Sequence, residues 1–239
     1  MSQFLQSVKE NISFLLTCLV IAAALVGIDM VAQKFLAKER HRLSSSRTIA
    51  FVSKFSAVAA VLMLFELPLF FAPGFYKLDL SEIPVLICTF YLGPVAGVVS
   101  EFLKVVLKLL FKGTTTAFVG DFANFFVGCS FVLPASMVYH ARKSRKSAII
   151  GMAVGTLVMT VFGSLFNAVY LLPTFSRLYQ LPLDALIGMG TDVNPYINSV
   201  STLVLFAVVP FNILKGMLVS VLTLPLYKRI EQLLVHGEA

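Results

Sequence analysis

The sequence predicts an all-α integral membrane protein: a six-helix bundle over residues 48–239, behind one extra transmembrane helix and a basic loop over residues 1–47. Three observations carry that prediction. Hydrophobic residues make up 58% of the 239 and charged residues 13%, against about 25% charged in an ordinary soluble domain. Mean hydropathy is accordingly high, at +0.90. Apolar runs recur at the length of a bilayer crossing, about 20 residues each, so roughly six or seven crossings use up the chain and leave no separate soluble domain. Finally, the basic residues gather in short clusters between those runs.

The first apolar segment runs from Ile12 to Val31 and meets a basic stop at Lys38, Arg40 and Arg42. Ala22 to Ala24 offer the small residues of a signal-peptide cleavage site. However, Lys9 is balanced by Glu10 and the run continues past the alanines, which favours a retained anchor. The second segment, Thr48 to Ala72, gives way to a polar stretch from Pro73 to Glu82. Two shorter pieces follow, Ile83 to Leu92 and Val95 to Phe111, meeting at Gly93-Pro94, a pair that breaks a helix. After Lys112-Gly113-Thr114-Thr115-Thr116, a run from Phe122 to Tyr139 reaches the basic cluster Arg142-Lys143-Ser144-Arg145-Lys146. A long run spans Ala148 to Leu172, and a turn-rich connection with Gly188, Gly190 and Asn194-Pro195 spans Pro173 to Ser201. The last run, Thr202 to Tyr227, closes on Lys228 and Arg229.

Parity tests this division, because each crossing changes sides and positive loops collect in the cytoplasm. With Lys38 to Arg47 inside, Arg142 to Lys146 and Lys228-Arg229 also fall inside, while Pro73 to Glu82, the Thr114 loop and Pro173 to Ser201 fall outside. The expected location is a membrane, multi-pass, with the C-terminus cytoplasmic. The net charge of +7 is then a topology signal and not a nucleic-acid surface. Cys18, Cys88 and Cys129 lie in apolar stretches without metal-ligand spacing and read as buried, reduced thiols.

Polar residues inside apolar runs need a reason, since a charge near a helix centre costs on the order of 3 kcal/mol on insertion scales. Asn167, Asn212 and Lys215 stand out, with Glu101, Lys104, Asp121 and Asn124 behind them. Asn212 and Lys215 are three apart, hence on one helix face, and Pro210 precedes them. Ligand binding is one explanation; the other is that Lys215 pairs with a carboxylate while Asn212 holds helices together. Lys77 and Asp79 fall in an aromatic and charged stretch at the outer surface, where Asp79 or Ser81 also suits a helix N-cap. Lys112 to Thr116 reads as a turn between helices. Small residues recur four apart at Gly93 and Gly97, Gly151 and Gly155, Ser53 and Ala57, and Ser56 and Ala60, which lets helices approach closely within the bundle or against a partner. The chain contains no GxxxxGK[ST] phosphate loop, HExxH motif or paired-His metal site, so any transport it supports draws its energy elsewhere and no metal is expected.

Taken in order, Lys77-Leu78-Asp79-Leu80-Ser81-Glu82-Ile83-Pro84, Leu92-Gly93-Pro94-Val95-Ala96-Gly97, Gly113-Thr114-Thr115-Thr116 and Val132-Leu133-Pro134-Ala135 resemble the riboflavin-specific substrate-binding (S) component of energy-coupling factor transporters. Asn167 leading to Leu171-Leu172-Pro173, the stretch from Pro182 to Gly190, and Pro210-Phe211-Asn212-Ile213-Leu214-Lys215-Gly216 continue the match. The resemblance covers about Ser53 to the C-terminus. It implies a six-helix bundle that takes riboflavin from outside as a transported ligand, with no resident cofactor and no catalysis. It also implies a transmembrane coupling (T) component and two cytoplasmic ATPases as partners. Asn167, Asn212 and Lys215 match positions that hold the flavin, and Lys77 and Asp79 match the lid loop. The first helix of the family docks the coupling component through an Ala-xxx-Ala pattern, for which Ser53 with Ala57 and Ser56 with Ala60 stand here. The extra N-terminal span lies outside the family pattern.

Riboflavin joins a flat apolar ring to a polyhydroxyl chain, which suits a Phe- and Leu-rich pocket with a few convergent Asn and Lys groups. A binding subunit for another vitamin is the nearest rival, although a thiamine site calls for acidic and aromatic groups around a cation. A membrane-embedded enzyme using Glu101, Asp121 or Glu66 is the rival from another class, and nothing in the sequence brings two of those carboxylates together.

Overall fold

A computed structural model describes residues 45–236 apart from 115 and 117, together with 20, 24 and 27. The expected N-terminal span, Ile12 to Val31, and Cys18 lie outside the described residues. The order is α1 (Ser46–Leu64), a hairpin of β1 (Leu67–Pro68) and β2 (Lys77–Leu78), α2 (Glu82–Leu92), α3 (Pro94–Lys112), α4 (Val119–Ala141) and α5 (Arg145–Phe166). A π-helical turn, Asn167–Leu171, carries α5 into α6 (Leu172–Leu178). After α7 (Leu183–Thr191) and α8 (Val200–Leu203), a second π turn, Val204–Val208, leads into α9 (Val209–His236). This is the expected six-helix bundle, with α5–α6 and α8–α9 each forming one long crossing.

Among the described residues, four helices are long and apolar enough to cross a membrane: Ser46–Leu64, Val119–Ala141, Arg145–Leu178 and Val200–Arg229. The other two crossings are explained by what they pack against. α2 is short, with buried residues on every side. α3 carries Glu101, Lys104 and Lys108 on its buried face, where each charge meets an opposite one. Gly93 joins the two helices at φ 102°, a left-handed backbone that glycine adopts without a Cβ penalty, and Pro94 opens α3 where no N–H is needed.

Three expected boundaries move, one of them at the end of α9, which runs on past Lys228 and Arg229 to His236. The second segment was expected to run to Ala72, yet α1 stops at Leu64 and residues 65–78 fold back as a hairpin, with Leu67 paired to Leu78 and Pro68 to Lys77. The apolar letters there are a cap: Ala72, Tyr76 and Leu78 are buried against Phe211, Val208 and Leu172 at the end of the bundle. Likewise the connection from Pro173 to Ser201 is largely helical, containing α6 and α7. Pro173 does not stop its helix, because the π turn lies across residue 169, the position whose carbonyl a proline ring would strike. Pro210 stands in the same relation to residue 206 in the second π turn. Pro134 and Pro225 also sit inside helices.

Small residues set the helix spacing. A Cβ on Gly151 would lie 2.5 Å from the Ala135 carbonyl oxygen, and one on Gly155 would lie 2.5 Å from that of Phe131, so α4 and α5 touch through backbone. Ser56 and Ala60 are buried, and Ser56 Oγ donates to Val52 O at 2.7 Å and lies 3.0 Å from Ser100 Oγ of α3. That pair therefore packs the chain against itself. Ser53 and Ala57 remain exposed on the opposite side of α1.

Candidate ligand-binding site

The hairpin, the α3–α4 corner and the region from Tyr179 to Met189 all contribute walls to one cavity of about 580 Å³. Three connections thus gather at one end of the bundle. Helix alternation places Gly93, Arg142 to Ser144 and the end of α9 at the other. A volume of this size falls in the range of about 300–1,000 Å³ typical of small-molecule sites.

The walls are largely aromatic and aliphatic. Phe75 and Phe175 face each other with ring centroids 6.2 Å apart, and Tyr76 and Phe211 are 5.8 Å apart. Asn167, Asn212, Lys215, Asp79 and Lys77 all line this cavity, so the structure brings together the residues singled out in the sequence. The two π turns contribute directly: Asn167 opens the first, and Asn212 follows the second by four residues.

Each polar group has a definite state. Asn167 is satisfied on both sides, its Oδ1 accepting from the Tyr76 hydroxyl at 2.7 Å and its Nδ2 donating to Gly163 O at 2.9 Å. Asn212 Nδ2 is buried without a hydrogen-bond partner among the described residues. It lies against Gly163, where a Cβ would come within 2.9 Å of it. Lys215 Nζ donates to Asp79 Oδ2 at 3.2 Å and approaches Glu82 Oε1 at 3.4 Å. Lys215 is thus paired with carboxylates, as one of the two explanations expected, and it also faces the cavity. Asp79 Oδ1 accepts from the backbone N–H of Ser81 at 2.9 Å and from the Ser81 hydroxyl, which fixes the entry to α2.

Lys77 stands at the rim rather than the floor. Its Nζ donates to Glu66 Oε2 at 3.1 Å, and Lys112 Nζ donates to the same oxygen at 2.9 Å. Glu66 lies in the connection outside the crossings. Burial pushes its carboxyl up, the Lys112 and Lys77 ammoniums pull it down, and the balance falls below the ordinary glutamate value. The threonine turn is spent internally: Thr114 Oγ1 donates to Asp121 Oδ2 at 2.7 Å and accepts from Phe118 N at 2.9 Å, while Thr116 Oγ1 accepts from Gly120 N at 3.0 Å.

Sequence reasoning missed Tyr76, which reads as one more interfacial aromatic, and the role of Glu82 and Lys104, which meet at 3.1 Å deep in the bundle. A signal for the latter was present: Glu101, Lys104, Lys108 and Lys112 recur at helical spacing and mark one charged face of α3. Of the carboxylates a membrane enzyme would use, Glu101 faces Lys104, Asp121 faces Lys108, and Glu66 faces Lys77 and Lys112.

A polytopic helical bundle with one aromatic cavity at its end, lined by buried Asn and Lys groups, is the architecture of a membrane protein that captures a small molecule. The family model for "ECF transporter, substrate-specific component" matches residues 47–227, and the chain belongs to that family. It is similar to the riboflavin transporter RibU of Staphylococcus aureus, 33% identical over 82% of this chain and 97% of that protein. It is also similar to the riboflavin transporter FmnP of Bacillus subtilis, 31% identical over 73% of this chain and 87% of that protein. Among solved structures, the S component of a bacterial ECF transporter superposes with a TM-score of 0.62 and 36% identity, over 79% of this chain and 97% of that one. These relatives are named as transporters.

Proposed function

We propose that the chain is the riboflavin-binding subunit of an ATP-driven vitamin importer, holding the flavin in the cavity between the hairpin and the ends of α4, α5 and α9. The observation that carries this reading is the cavity's division of labour. Aromatic walls suit the isoalloxazine ring, while Asn167, Asn212 and Lys215, with Asp79 beside them, gather hydrogen-bonding groups for its edge and the ribityl chain. The names of the relatives point to the same vitamin. Positive clusters at the end remote from the cavity support an external mouth and a cytoplasmic C-terminus. A coupling component and two ATPases supply the energy, and the exposed Ser53 and Ala57 face of α1 is open to the former.

The test is direct. Protein purified in detergent is expected to carry or take up riboflavin, seen in the visible spectrum and in quenching of flavin fluorescence. Asn212→Leu is expected to weaken binding about ten- to a hundredfold, because losing a hydrogen bond to a buried ligand costs about 1–3 kcal/mol. Asn167→Leu also strands the Tyr76 hydroxyl, and Lys215→Leu strands Asp79, so affinity and melting temperature fall together in those variants. Unchanged affinity in all three would remove these residues from the site, and a purified protein that binds no flavin would sink the reading itself.

A further inference from the structure

Five buried ionisable side chains cluster from the cavity wall into the bundle: Asp79, Lys215, Glu82, Lys104 and Glu101, the last in contact with both Glu82 and Lys104. Lys215 Nζ lies 3.2 Å from Asp79 Oδ2 and 3.4 Å from Glu82 Oε1. Lys104 Nζ lies 3.1 Å from that same Glu82 oxygen and 2.6 Å from Glu101 Oε2. Glu82, Lys104 and Glu101 are each 0% exposed, whereas only Asp79 and Lys215 of the five line the cavity. Room for the inner end is made by α4, where a Cβ on Gly128 would come within 2.7 Å of Glu101 Oε2.

One oxygen of Glu82 therefore serves two ammoniums, one on each side. In a weakly polar interior an unshared carboxylate draws the nearest cation strongly. With Lys104 on its inner side, Glu82 is already largely neutralised, and Lys215 is left balanced between Asp79 and Glu82 at nearly equal distances. Without Lys104, Glu82 would pull Lys215 inward and away from the cavity.

We propose that Lys104 is a positioning residue for the cavity: it never touches the ligand, and by occupying Glu82 it sets how far the Lys215 ammonium reaches toward the bound vitamin. The inference rests on the flavin-binding reading above. It assigns to α3, which lends no other buried charge to this cluster than Lys104 and Glu101, control over a group on α9.

The test uses the full chain in detergent, with flavin affinity measured on the monodisperse fraction and melting temperature alongside. Lys104→Met is expected to weaken flavin binding about tenfold, the equivalent of roughly one lost buried hydrogen bond. That variant also leaves two carboxyl groups without their lysine, so two double variants, matched in the side chains they remove, decide the matter. Lys104→Met with Glu82→Gln removes the competitor for Lys215, and Lys104→Met with Glu101→Gln keeps it. Both delete one lysine and one carboxyl group from the same cluster. The Glu82→Gln double is expected to recover most of the lost affinity, while the Glu101→Gln double stays about tenfold weak at a similar melting temperature. Equal affinity in the two doubles, or the reverse order, would leave Lys104 a purely structural residue and overturn the proposal. A parent chain that binds no flavin is a different outcome, which overturns the functional reading and this inference with it.

Discussion

The two rims of the cavity mouth are tied down by ion pairs of opposite character. On the α3–α4 corner, Lys108 Nζ meets Asp121 Oδ1 at 2.6 Å with side chains only 8% and 4% exposed. Lys108 also donates to Gly113 O at 3.3 Å, and Thr114 takes the second Asp121 oxygen. On the hairpin rim, Glu66 holds Lys77 and Lys112 through one oxygen, and the three side chains are 24%, 46% and 40% exposed. A buried and fully partnered pair fixes a wall. An exposed, shared one is a latch that water and salt can reach. The two rims therefore differ in firmness: the corner is fixed, and the hairpin is held by contacts that solvent reaches.

The largest expected effect breaks the corner. Asp121→Asn leaves Lys108 buried without its counter-charge, a change that costs about 3–5 kcal/mol, and a marked fall in melting temperature in detergent is the expected result. Replacing both partners by apolar residues, Lys108→Met with Asp121→Leu, is expected to recover much of that loss, since a buried pair is often no more stabilising than well-packed hydrophobic residues. An Asp121→Asn protein that melts like the parent would show that the corner is no firmer than the hairpin.

Most of the bundle was legible because hydropathy and helix-breaking residues report it directly. Gly93-Pro94 broke the chain where expected, and α4 ended at the basic cluster from Arg142, whereas the last helix ran on past Lys228 and Arg229 to His236. Asn167, Asn212 and Lys215 were legible for the same reason in reverse, as polar side chains where only apolar ones come cheaply. Residues 65–72 were not, since hydrophobicity records burial without saying whether it is burial by lipid or by a hairpin folded over the bundle end. Nor was the pairing of Glu82 with Lys104, which are 22 residues apart on helices that turn back at Gly93. Each reads alone as an expensive charge, and only the fold shows that they offset one another. The family resemblance pointed to Lys77 and Asp79, but Glu66, which pairs with Lys77, lies before the matching motif.

A smaller effect is expected at the hairpin. Glu66→Gln removes the shared acceptor while leaving the bundle core untouched, so melting temperature is expected to stay near that of the parent. Flavin dissociation is expected to accelerate about two- to fivefold, in keeping with the roughly 0.4–1 kcal/mol of an exposed pair. Raising the salt concentration is expected to speed dissociation from the parent and to have little effect on the variant, because screening acts on a latch that only the parent possesses. A large drop in stability in Glu66→Gln would place the hairpin in the fixed frame and erase the distinction between the rims.

The smallest effect is a pH dependence, and its sign follows from the same geometry. Burial raises the Glu66 carboxyl and the two lysines lower it by more, so the latched form holds its proton less tightly than a free glutamate does. Linkage then requires the latch to contribute fully above the ordinary glutamate value and to weaken as pH falls through the depressed one, where the carboxyl gains a proton and releases Lys77 and Lys112. Flavin dissociation from the parent is expected to be level from neutral pH down to the ordinary glutamate range and to quicken below it. Glu66→Gln, already unlatched, is expected to be uniformly fast across the same window. Stopped-flow recovery of flavin fluorescence on both proteins, over a range where both stay folded, measures the two profiles. Dissociation that slows on acidification, or an identical acid limb in parent and variant, would show that some other group holds the hairpin shut.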